Sequence, residues 1–151
     1  MSARRRAPFR RTADGRIGLD LPPGVREFMT AAAERLRDTG STPGSPGFLR
    51  LFGRIDESAE VDDPAYVLGR QLAIDEVVAA VAASAQKPTI DTDEAEAWLK
   101  VLGMTLSRRS AELGVRTDED REKLDDEDQA VIRVAYALQV ALMDVLDDPD
   151  G

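Results

Sequence analysis

The chain contains no cysteine and no histidine. Without cysteine it can form no disulfide and carry out no thiol chemistry, a composition that suits a reducing compartment. Without histidine it lacks the commonest general base, the commonest metal ligand and the usual partner of a nucleophilic serine. Aspartate and glutamate are left as metal-ligating types, and they favour hard ions such as magnesium, manganese or calcium. No apolar run approaches the roughly 20 residues that cross a bilayer. The N-terminus is basic, but no apolar segment follows it, so a secretory signal is not expected. These absences predict a cytoplasmic protein that is not an enzyme, does not meet the membrane and holds no cofactor or metal.

At 151 residues the chain fits one domain. A domain of this length buries about 70% of its unfolded surface, enough for a core without metal or disulfide. The net charge of −9 conceals an asymmetry. Residues 1–16 carry Arg4, Arg5, Arg6, Arg10, Arg11 and Arg16 against Asp14, and all the net negative charge lies beyond them. The acidic body repels nucleic acid and anionic membrane, while the basic arm attracts them or folds back onto the body.

Residues 1–8 read as a disordered basic tail, 9–148 as a single helical domain, and 149–151 as a second tail. Within 9–21 lies a hairpin signal: Asp14-Gly15 is a favoured type I′ pair, and Ile17, Leu19 and Leu21 alternate with small or polar residues. A two-residue turn would set Phe9 opposite Asp20, on the wrong face, so a bulge or longer loop is needed to bring Phe9 inward. Four helices follow. The first starts near Pro22-Pro23, carries Val25, Phe28, Met29, Ala32 and Leu36 at helical spacing, and is capped by Gly40. The segment 40–47 is a Gly/Ser/Pro loop, Phe48, Leu49, Leu51 and Phe52 an apolar turn, and 55–61 a polar loop. The second helix starts at Asp63-Pro64 and is apolar nearly all round (Tyr66, Val67, Leu72, Ile74, Val77, Val78, Val81), which predicts burial on more than one side. The third starts at Asp91 with Glu94 three residues on, a capping-box pair, and ends at Gly114. Its stripe is Ala95, Trp98, Leu99, Leu102, Leu106 and Leu113. The fourth runs from about Asp126 to Leu146 with a core stripe of Val131, Val134, Ala135, Leu138, Leu142 and Val145, widened by Ile132, Tyr136, Val140 and Met143. The expected fold is therefore mainly α: a bundle of about four helices with a small N-terminal β-hairpin.

Ala97-Trp98-Leu99, Leu102 and Leu113-Gly114-Val115 before an acidic stretch, with Leu138-Gln139 in the last helix, resemble the DUF2017 family of actinobacterial proteins of uncharacterised function. Phe9-Arg10-Arg11 and the segment from Leu49 to Phe52 add to the likeness, which spans nearly the whole chain. Where relatives carry a polar stretch after the Trp-Leu segment, this chain has Gly103-Met104-Thr105-Leu106. The resemblance implies a cytoplasmic protein and, because genes of the family often neighbour that of the Clp-protease adaptor, a link to Clp-dependent proteolysis.

Several groups of residues are candidate sites, each with a plainer reading. Arg4, Arg5, Arg6, Arg10 and Arg11 form either an anion-binding arm for phosphate backbone, as in a transcriptional regulator, or a solvated tail. The absence of a recognition-helix motif favours the tail. The acidic segment 118–128 has neither the glycine nor the ligand spacing of a calcium loop and reads as helix-start charge. Asp75 and Glu76, about 100° apart on a helix, cannot share one site unaided; one should face solvent and the other pair with Arg70 or Arg109. Trp98 is a core residue or a partner hot spot, and its Leu-rich stripe favours the core. Tyr136, Val140 and Met143 lie off the main stripe of the last helix and are the candidate interface, for a protein partner or a homodimer.

Overall fold

The computed structural model describes residues 7–39 and 64–147, apart from the side chains of Pro64, Tyr66 and Val67. The Gly40 cap, the loop 40–47, the apolar turn from Phe48 to Phe52, the polar loop 55–61, Asp63, and the tail residues 1–6 and 148–151 lie outside the described residues. The element order is β1 (Phe9–Arg11), β2 (Ile17–Leu19), α1 (Val25–Thr39), α2 (Pro64–Ser84), β3 (Thr89–Ile90), α3 (Thr92–Glu112), α4 (Asp118–Glu122) and α5 (Asp126–Asp147). The protein is mainly α, with a small antiparallel sheet at its N-terminal end.

The hairpin forms with a longer loop than the Asp14-Gly15 pair suggests. Phe9 pairs with Leu19 and Arg11 with Ile17, leaving residues 12–16 as the connection. The loop closes on itself: the Thr12 N–H donates to the Arg16 carbonyl, and the Gly15 N–H donates to the Thr12 carbonyl. Gly15 sits at φ +82°, where a side chain would be strained. This register puts Phe9 and Ile17 on the inward face, both fully buried. The Thr12 hydroxyl donates to the Asp14 carboxylate. That bond, seconded by the Arg16 N–H, holds the Asp14 carboxyl below its ordinary pKa. The ordered chain reaches further back than the expected tail, because the Pro8 carbonyl accepts from the Asp20 N–H.

A third strand makes the hairpin a sheet of order β1-β2-β3. Thr89–Ile90, in the short link between α2 and α3, pairs with Ile17 and Gly18. The two-residue strand is too short to show any alternation. Arg16 reinforces the join, its Nε donating to the Thr89 hydroxyl at 3.0 Å. Arg26 on α1 donates to the Ala85 and Lys87 carbonyls, both at 2.8 Å, and so closes the end of α2.

The helices start where local chemistry dictates, with one shift. Pro22, Pro23 and Gly24 form a turn rather than a first helical turn; Gly24 lies at φ +87°, and the helix begins at Val25. The Asp91–Glu94 capping box is present in both directions, at 2.7 and 3.0 Å. Gly114, at φ +70°, ends α3. The acidic stretch holds a short helix of its own, capped by Thr117.

α1, α2 and α3 pack against one another, so α2 is covered on two sides, as its composition predicts. α5 lies outside this trio, against α3 and β1. Trp98 sits at the junction, with no exposed surface. Its indole N–H donates to the Ser84 hydroxyl at 2.8 Å, and the Ser84 O–H in turn donates to the Ala80 carbonyl at 2.7 Å. The Phe9 ring meets the indole edge-on, with centroids 6.2 Å apart at 88°. Trp98 is therefore a core residue, and its exposure leaves nothing for a partner.

Two outcomes follow from these contacts. Ser84→Ala should lower the unfolding free energy by about 1–3 kcal/mol, because it leaves a buried N–H unpaired, whereas Trp98→Ala should cost about 3–5 kcal/mol; chemical denaturation reads both. For Asp14, whose folded pKa is lowered, the contribution to stability is complete above the ordinary carboxylate range and is lost as pH falls through the lowered value. Thr12→Val should therefore shift the Asp14 midpoint upward in a carboxyl-carbon NMR titration. An unmoved midpoint would assign the depression to the Arg16 N–H instead.

Candidate functional site

The last helix is apolar over much of its circumference but has a single helical neighbour of substance among the described residues. Its inward face is Ala135, Leu138 and Leu142, buried against α3. At about 100° per residue, Tyr136, Val140 and Met143 fall on a different face, within about 60° of one another. They are 58%, 39% and 47% exposed. The predicted interface residues thus form one strip on the outside of the bundle. The predicted core stripe needs two amendments. Val134 is 37% exposed, whereas Ile132 is buried. The face that α5 turns toward α3 and β1 is thus rotated relative to the sequence expectation.

Leu72, expected in the core, is 60% exposed, and Leu68 one turn earlier is 61% exposed. These two leucines make a second apolar spot on α2, and the spacing i, i+4 is the only sequence signal they carry.

Two shallow hollows meet at Tyr136. One, of about 340 Å3, is bordered by Arg121, Gln129, Ile132 and Arg133. The other, of about 460 Å3, runs over Leu106, Val115, Arg116 and Arg121. Three arginines thus surround one end of the strip. Asp144 and Asp147, both exposed, lie at the other end.

The remaining candidates are dispersed or engaged. Of the basic arm, Arg4, Arg5 and Arg6 lie outside the described residues. Arg10 is exposed on β1, and Arg11 is half-buried, donating to the Gly15 carbonyl at 2.9 Å. Asp75 accepts from Gln71 at 2.8 Å, and Glu76 is exposed. Of the two arginines expected as partners, Arg109 pairs instead with Asp128 and ties the end of α3 to the start of α5, while Arg70 reaches the Met104 sulfur. In the acidic stretch the carboxylates serve the backbone. Asp125 accepts from the Asp128 N–H at 2.8 Å, and Asp118 pairs with Arg121. Asp120 accepts from the Arg116 N–H, which, with Thr117, holds its carboxyl below the ordinary value. No group of three or more carboxylates among the described residues is arranged to hold a metal ion.

A cleft of about 660 Å3 lies between α2 and α3. Glu76, Asp93, Glu94 and Glu96 make its rim acidic, with Arg70 and Lys100 as the cations. Glu94 is committed to the capping box and to Lys87 at 3.0 Å.

Sequence reasoning passed over Arg108 as a site of interest. It is 5% exposed, pairs with Glu112 at 2.8 Å and leaves its Nε without a partner. Its position on α3 identifies it as a buried charge held by one half-exposed carboxylate, which is a structural role.

By length and composition α5 also meets the criterion for crossing a membrane. An apolar run interrupted by Arg133 and Asp144 does not stand out in a search for unbroken stretches. Core helices of folded bundles meet the same criterion, and α5 carries a packed face on α3.

No family model matches the chain, and no curated protein or solved structure is significantly similar to it.

The Arg108–Glu112 pair makes an asymmetric prediction. Glu112→Ala leaves a buried guanidinium uncompensated and should cost about 1–2 kcal/mol after discounting for the exposure of Glu112. Arg108→Met removes the charge itself and should be neutral or stabilising. Thermal denaturation of both variants checks the order, and an equal loss in the two would assign Arg108 to packing rather than charge.

Proposed function

We propose that this chain is a non-enzymatic protein-interaction or regulatory module that docks through the α5 strip of Tyr136, Val140 and Met143. One observation carries the reading: α5 has apolar residues around most of its circumference but one helical neighbour of substance among the described residues, and Tyr136, Val140 and Met143 stand exposed together on one face. Isolated exposed apolar residues need no explanation, but three in register along two turns form a contiguous patch of the kind that binds a helix. The lack of histidine and cysteine supports a role without catalysis, and among the described residues no carboxylates group to hold a metal. The resemblance to DUF2017 directs the search for a partner toward the Clp machinery of the cytoplasm. A nucleic-acid role through the basic arm has less support, because Arg11 is occupied within the hairpin.

The strip alone is a weak binder. Burying its exposed parts is worth roughly 2–3 kcal/mol. Association costs about 4–15 kcal/mol in lost translational and rotational freedom. A partner must therefore also engage the charged flanks.

A photo-crosslinking residue in place of Val140 should give an adduct in living cells, while the same residue in place of the exposed Ala31 on α1 should not. No adduct at Val140, with another protein or with a second copy, would sink the proposal. Tyr136→Gln and Met143→Gln should leave stability within about 0.5 kcal/mol each, as surface changes, while eliminating the adduct.

A further inference from the structure

Charge is unevenly distributed along the strip. At the Tyr136 end stand Arg133 on α5 and Arg121 and Arg116 from the preceding segment, against the carboxylates Glu122 and Asp118, the latter paired with Arg121. At the other end stand Asp144 and Asp147. Arg133, Asp144 and Asp147 are exposed and form no ion pair with any described residue. In a chain of net charge −9, an unpaired arginine at one end of an apolar strip, where cations outnumber carboxylates, and two unpaired aspartates at the other make a polar axis along its surface.

That axis selects a partner. A surface with a basic end, an apolar middle and an acidic end is complementary to its own copy turned through 180°, as an isologous two-fold contact requires. We propose that the α5 strip pairs with α5 of a second copy in an antiparallel sense. This inference rests on the docking role of the strip and names its occupant.

Helix geometry sets the register. A two-fold axis between Gln139 and Val140 places Tyr136 of one copy opposite Met143 of the other, an aromatic ring against a thioether. At 1.5 Å per residue, Arg133 then falls between the levels of Asp144 and Asp147 on the second copy, within about 3 Å along the axis of each. The 100° increment puts Arg133 and Asp144 on the same flank of the strip, and a two-fold perpendicular to both helices keeps that flank on one side. The contact forms twice by symmetry. Parallel pairing would instead set Arg133 against Arg133 and Asp144 against Asp144.

Long-range repulsion between two acidic bodies opposes the pairing, but it acts over the distance between their centres. At physiological salt the screening length is about 8 Å, so that repulsion is largely screened while charges in contact across the strip are not.

Sedimentation equilibrium of the full chain tests the pairing. The wild type should show a concentration-dependent monomer–dimer equilibrium. Arg133→Asp, and separately the double variant Asp144→Arg/Asp147→Arg, should each weaken dimerisation by at least about tenfold, because each sets like charges together twice. An equimolar mixture of the two variants should restore dimerisation, since all the reversed pairs become attractive in the mixed dimer. Circular dichroism confirms that each variant is folded before it is scored. A wild type that stays monomeric at all concentrations, or a mixture that associates no better than its components, overturns the second-copy assignment. In either case a Val140 adduct with a different protein keeps the docking role standing, whereas no adduct removes both.

Discussion

The bond between the Trp98 indole and the Ser84 hydroxyl is the contact on which the rest of the fold depends. A tryptophan is the largest apolar side chain, and it can be fully buried only if its N–H finds a partner. Here the partner lies in the last turn of α2, and that hydroxyl is itself satisfied by the Ala80 carbonyl. Phe9 completes the seat from the sheet. One side chain therefore joins α2, α3 and β1, elements distant in sequence. Its burial sets how the sheet lies on the helices.

The link between α2 and α3 serves the same junction from outside. Only a few residues separate the two helices, yet Thr89 and Ile90 form the third strand, Arg26 takes the carbonyls of Ala85 and Lys87, and Arg16 reaches Thr89. Glu94 receives both Arg16 and Lys87 while closing its capping box. These polar bonds add little individually at an exposed rim. Together they satisfy backbone groups that the tight connection would leave open, and they hold Ile90 inward beside Ile17.

α5 differs from the other long helices in how it is covered. Among the described residues, α1, α2 and α3 bury one another, while α5 is held by α3 and β1 and clamped at its start by Arg109 and Asp128. A helix with more apolar surface than its neighbours can cover must show the remainder. Most of that remainder is the strip proposed as the docking face, with Arg133 at its head and Asp144 and Asp147 at its tail. The surface around Trp98 and the dispersed carboxylates of the α2–α3 cleft contribute nothing comparable.

The sequence by itself determined the features whose causes are local. Asp91 and Glu94 form a capping box because both groups lie within one turn of the same helix. Gly114 ends α3 because only glycine enters its backbone conformation cheaply. The four long helices and the mainly α class follow from the periodicity of their apolar residues. The need for a longer hairpin loop was legible because Phe9 must face inward with Ile17. The tertiary structure alone decided the matters that depend on distant partners. The third strand exists because β2 offers it an edge, and two residues carry no period of their own. Val134 is outside and Ile132 inside because the angle at which α5 meets α3 is set by packing, which a nearly uniform apolar helix does not encode. For the same physical reason, the sequence could nominate Tyr136, Val140 and Met143 as surplus, but only the placement of α5 left them uncovered on one face.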